Sequence, residues 1–196
     1  MRYPNIFLSK AMEYDPSRMI ANIFMPLISF MTGAILFLRM VLLQQVISTK
    51  LQRTLWTVFA VCSVILPLSM IAVPAIPYSN SILGHLVPAF LVFISSFTIM
   101  AVSCWLDSSL ALPVIRAVKH IRYCLTIGAC SGTMVFGIFF WSNPFISAIF
   151  ELIGAGCMTL FIMSLAHPED FFSTKHSNSK PHQPDNNSDT TTVEEA

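Results

Sequence analysis

The sequence predicts an all-α integral membrane protein, a five-helix transmembrane bundle, and three observations predict it. Five stretches of the 196-residue chain are long and strongly apolar. The chain is 55% hydrophobic and only 11% charged, with a mean hydropathy of +0.69, whereas a soluble domain is about a quarter charged. Lys and Arg recur in every second gap between the apolar stretches. A helix rising about 1.5 Å per residue needs about 20 apolar residues to cross a hydrocarbon core about 30 Å thick. Residues 19–43, 54–77, 82–106, 121–141 and 144–166 each meet that requirement.

The first span carries Asn22 near its start and Arg39 near its end. Pro67, Pro74 and Pro77 stand in the second and Pro88 in the third, where each removes a backbone donor and predicts a kink. The fourth contains Gly128 and Gly132 at GxxxG spacing, continued by Gly137, and the fifth contains Gly154 and Gly156. These small faces predict close helix packing. All five cysteines, Cys62, Cys104, Cys124, Cys130 and Cys157, fall inside spans and read as small apolar packing residues. None has metal-ligand spacing, so no metal site is expected. The net charge of +1 supplies no basic face and excludes a nucleic-acid partner.

The gaps set the orientation. Lys50 and Arg53, with Arg39 one turn inside, follow the first span, and Arg116, Lys119 and Arg122 follow the third. The gaps around Tyr78, Ser79 and Asn80 and around Ser142 and Asn143 contain no Lys or Arg. Under the positive-inside rule the basic gaps face the cytosol and the others the lumen. Residues 1–18 are then a lumenal segment, 19–172 the bundle, and 173–196 a cytosolic tail. The tail has no aromatic residue and is expected to be disordered. Its glycosylation acceptor form at Asn186 never meets the lumen on this topology. A lumenal N-terminus without an apolar signal segment is the odd result, and it leads to the expectation of a six-helix fold lacking its first helix.

With so few charges, an ionisable group within a span marks a candidate site. Arg39, near a cytosolic helix end, is expected to snorkel to the headgroups. Glu151 lies about two turns inside the lumenal end of the fifth span and His85 about one turn inside that of the third. Together with Asn22 and Ser96 they form a candidate polar cluster in the lumenal half. His85, Ser96 and Ser103 share one face of the third span at the helical period. Interhelical hydrogen bonding is the competing reading of the same residues. No nucleophile is identified beside the pair, so no catalytic residue is assigned.

The ordered set of features resembles a known family. Tyr3-Pro4-Asn5, a span ending at Arg39, the run GHLVPAFLVFISS from Gly84 to Ser96, HIRY from His120 to Tyr123, and AIFELIGAG followed by Pro168-Glu169-Asp170-Phe171-Phe172 are similar to the DRAM/Frag/Sfk superfamily. The likeness to Cwh43 N-terminal-domain-like proteins is greatest in the post-GPI-attachment-to-proteins factor 2 group. That resemblance implies a six-helix bundle whose membrane-embedded His and Glu match His85 and Glu151. It implies a multi-pass Golgi or ER factor in GPI-anchor lipid remodelling or the maturation of GPI-anchored proteins. The implied partners are membrane lipids, with GPI-anchored proteins or a remodelling enzyme, and no cofactor. The autophagy-modulator branch implies instead a lysosomal or endosomal regulator. A non-catalytic interaction bundle joined through the Gly128 and Gly132 face is the third reading.

Overall fold

Residues 16–76, 80–110, 116–139 and 142–166 are described by a computed structural model. The N-terminal segment through residue 15, Pro77 and Tyr78, the 168–172 motif, and the tail with Asn186 lie outside the described residues.

Among the described residues five helices form the bundle: α1 (Ser17–Val46), α2 (Lys50–Ala75), α3 (Ile82–Ser109), α4 (Arg116–Phe139) and α5 (Pro144–Ser164). All five are long and apolar enough to cross a membrane. All five differ from the expected spans at one or both ends. α1 at both ends, α2 and α4 at their starts and α3 at its end run past the apolar stretch, because helical geometry continues where hydropathy stops, whereas α2, α4 and α5 end about two residues early. At the start of α2, Thr49 Oγ1 accepts from Gln52 N at 3.3 Å and Gln52 Oε1 accepts from Thr49 N at 3.1 Å. This reciprocal cap draws polar residues into the first turn. Single caps begin the next pairs: Ser81 Oγ accepts from Gly84 N at 3.0 Å and Asn143 Oδ1 from Ile146 N at 3.2 Å. The end of α2 falls at Ala75, earlier than expected, because Ile76 precedes a proline and is held extended at φ −114°, ψ 94°.

α2 packs extensively on α1 and on α3, and α4 and α5 form the most extensive pair of all. α3 meets α4 along a narrower strip, and α5 touches α1 and α3 only locally. The bundle is therefore a three-helix unit, α1 to α3, joined to an α4–α5 hairpin. Leu36, Phe59, Leu66, Ile99, Leu106 and Phe161 form the centre of the core. The outer surface is also apolar: Phe30 is 73% and Leu83 75% exposed. A water-soluble protein could not carry that surface, whereas lipid solvates it.

Polar contacts set the register inside each unit. Ser29 Oγ donates to the Pro67 carbonyl at 2.6 Å and Trp56 Nε1 to the Met40 carbonyl at 3.0 Å, which ties α1 to α2. In the hairpin, Ser147 Oγ donates to the Phe136 carbonyl at 3.1 Å. There the glycines divide. A Cβ placed on Gly132 would stand 3.1 Å from Gly154 N and 3.2 Å from the Phe150 carbonyl oxygen, and one on Gly128 3.0 Å from Cys157 Sγ. Gly154 would meet Thr133 Oγ1 at 3.3 Å. Gly137 and Gly156, expected to thin the same seam, have nothing within 4 Å of an added Cβ and are exposed. Their positions on α4 and α5 turn them away from the partner helix, which corrects the expectation that all five glycines serve packing.

Replacing Gly132 by Leu forces side-chain atoms against α5 backbone and is expected to destabilise the bundle by about 1–3 kcal/mol. Gly137→Leu and Gly156→Leu should change stability by no more than ~0.5 kcal/mol. Thermal unfolding in one detergent checks this, and equal losses for all three variants would contradict the assigned seam.

Candidate functional site

At the end of the bundle that carries Lys50, Arg53, Arg116 and Lys119, three charged side chains converge inside the protein. Arg39 comes from α1, Asp107 from α3 and Arg122 from α4. Arg39 is 2%, Asp107 2% and Arg122 1% exposed. Asp107 uses both carboxylate oxygens: Arg39 Nη2 donates to Oδ1, and Arg122 Nη1 donates to Oδ2 at 2.6 Å. Arg122 continues to α5, donating from Nε to Ser164 Oγ at 3.2 Å and from Nη2 to the Ser164 carbonyl at 2.6 Å. One carboxylate and two guanidinium forks thus connect four helices.

This geometry corrects two expectations. Arg39 does not snorkel. It lies on the inward line of α1 with Thr32, Leu36 and Leu43, so its side chain points at Asp107 rather than at the headgroups. Arg122 does not lie in a gap, because α4 begins at Arg116 and carries Arg122 nearly two turns into the bundle. Lys50, Arg53 and Arg116 are exposed and Lys119 is half-buried at the same end.

Further contacts between α3 and α4 gather beside this network. Ser108 Oγ and Tyr123 Oη are 2.6 Å apart, Tyr123 Oη donates to the Cys104 carbonyl at 3.4 Å, and Cys104 Sγ lies 3.6 Å from Thr126 Oγ1. Farther along, Phe93 and Phe136 stack with ring centroids 6.4 Å apart.

The opposite end is formed by the α2–α3 and α4–α5 turns. His85, 4% exposed, sits one turn into α3, and its Nδ1 lies 2.8 Å from the Ile76 carbonyl oxygen. A carbonyl only accepts, so Nδ1 is the donor in this contact. The contact fixes the orientation of the ring at the start of α3. Ser96 is buried on the same face of α3, with Ser103 and Asp107 continuing the line to the charged end. Glu151 is half-buried on α5 about two turns from its start. Asn22 departs from the expected cluster. It is exposed on α1 because Ala21, its neighbour, occupies the inward position and successive helical residues turn by about 100°.

Beside His85 an apolar groove runs between α2 and α3, with a cavity volume of about 590 Å³. Its walls include Leu68, Ser69, Ala72, Ile76, Gly84, Val87, Pro88 and Leu91. Ile76 is shared: its side chain lines the groove and its carbonyl holds the His85 ring.

Asp107 was not singled out by the sequence, because the third span was closed at Leu106. The signal was present: Asp107 follows His85, Ser96 and Ser103 on one face at the helical period. It also stands at the membrane level of two arginines that need an acid.

The chain matches the family Frag1/DRAM/Sfk1/Cwh43P N-terminal domain over residues 3–169. It belongs to that family. The match takes in all five helices, so the charge network, His85 and Glu151 all lie within the family domain. Comparison with curated proteins and with solved structures returns no match.

Removing the shared acid leaves two inward guanidiniums without the carboxylate that holds them. Asp107→Asn is expected to destabilise the bundle by about 3–5 kcal/mol, the scale for breaking a buried ion pair. Arg53→Gln, at the exposed rim, should cost no more than about 0.5 kcal/mol. Unfolding midpoints in a lipid nanodisc check the contrast, and equal midpoints would contradict the placement of Asp107.

Proposed function

We propose that this multi-pass membrane protein acts on, or assists an enzyme acting on, the lipid of GPI anchors during maturation of GPI-anchored proteins in the Golgi or ER. The observation that carries the reading is His85, held by the Ile76 carbonyl beside a groove open to lipid, in a chain of the Frag1/DRAM/Sfk1/Cwh43 family. A remodelling factor needs a polar group at the level of the lipid's ester or phosphate region and an apolar wall along its chains. His85 and that groove provide both from adjacent helices. The GPI anchor occupies the lumenal leaflet, and the charge asymmetry of the gaps supports a lumenal His85 end. The run from Gly84 to Ser96, which most resembles the post-GPI-attachment-to-proteins factor 2 group, is the segment that supplies His85 and one groove wall.

Cells lacking the gene should show less GPI-anchored reporter at the surface or an altered anchor lipid by mass spectrometry. Wild-type chain should restore both, and His85→Ala, at equal protein level, should not. Unchanged reporter and unchanged anchor lipid in the null cells would sink the reading.

A further inference from the structure

We infer that the α2–α3 groove is an acyl-chain site, which holds one hydrocarbon chain of a bilayer lipid drawn from the leaflet at the His85 end. The groove interrupts the lipid-facing surface and is continuous with it. Leu68, Leu83 and Val87 at its edges are 62%, 75% and 56% exposed, so the hydrocarbon that solvates the bundle also solvates the groove. Its lining is apolar apart from the Ser69 hydroxyl. That chemistry selects a hydrocarbon over water or a polar headgroup.

Length points the same way. The walls extend from Leu68 on α2 to Ile76 at its end and from Leu83 to Leu91 on α3, nine residues each, or eight steps of about 1.5 Å, about 12 Å. One leaflet of the hydrocarbon core is about 15 Å deep, so the groove accompanies a chain through most of one leaflet. The walls are also preformed. Pro67 and Pro74 lie within α2 and Pro88 within α3, where each lacks a backbone donor and locks its own φ. Gly84 pins the mouth: a Cβ there would stand 2.9 Å from Ser81 Oγ and 3.1 Å from Ile76 Cγ2. The chain therefore enters beside Ile76 and Leu83, with its headgroup next to Asn80 and Ser81, and ends near Leu68 and Leu91.

The site rests on the membrane setting and not on the GPI reading, and its test uses a lipid without a glycan. Full-length protein in nanodiscs is photolabelled with a phosphatidylcholine bearing a diazirine near the end of one acyl chain, and labelled peptides are mapped. Label should concentrate on residues 68–76 and 83–91. Ala72→Trp, and independently the rim variant Val87→Trp, should lower that label about tenfold, a loss of ~1.4 kcal/mol of binding. Ala34→Trp, on the exposed side of α1, should leave it unchanged. Label spread evenly over the lipid-facing positions would overturn the site, as would groove label indifferent to both tryptophans. A groove that excludes the probe and instead crosslinks to a second protein chain would assign it to a partner helix and equally refute the inference.

Discussion

The bundle depends on one shared carboxylate. Asp107 sits near the Lys50 and Arg116 end of the helices, and it is stable there because Arg39 and Arg122 each take one of its oxygens. A single Arg or Asp at the centre of an inserted helix costs about 2.5–3.5 kcal/mol on insertion scales. Pairing offsets that cost, and the three charges come from three different helices. Their pairing thus favours one register of α1, α3 and α4 over others. The extension of Arg122 to Ser164 brings α5 into the same knot.

The two ends of the molecule differ as a result. Polar ties between the three-helix unit and the hairpin gather at the charged end, where Asp107, Ser108 and Cys104 meet Arg122, Tyr123 and Thr126. Toward the other end Phe93 stacks on Phe136, a contact that fixes register less strictly than a charged fork. The proline-bearing halves of α2 and α3, the groove and His85 are all at that end. On the proposed reading, a rigid charged base supports a half of the bundle whose wall is shaped for lipid.

Hydropathy alone was enough to read the class, the number of helices and their approximate limits, because about 20 apolar residues in succession have few other structural uses. The family was legible too, from ordered motifs spread over nearly the whole domain. The inward orientation of individual polar residues was less so. Arg39 and Asn22 are both polar residues near the ends of α1, yet one is buried and the other exposed, and the difference is a matter of helical phase relative to neighbours that hydropathy does not contain. Asp107 escaped notice because a span defined by apolar residues stops where the first charge appears, although the helix runs on to Ser109. Likewise Gly132 and Gly137 look equivalent in sequence, but only the first faces another backbone closely. The sequence states which residues are unusual; the packing decides which of them meet.

The account stands on cooperation among the three charges, and double-mutant cycles in a lipid nanodisc measure it directly. Unfolding free energies would be compared for Arg39→Met, Asp107→Leu and Arg122→Met, singly and in the two pairs that share Asp107. The predicted coupling in each pair is about 1–3 kcal/mol, above the ~0.6 kcal/mol average for hydrogen bonds between transmembrane helices. Additivity within about 0.5 kcal/mol in both cycles would contradict the network as the constraint on which the fold depends.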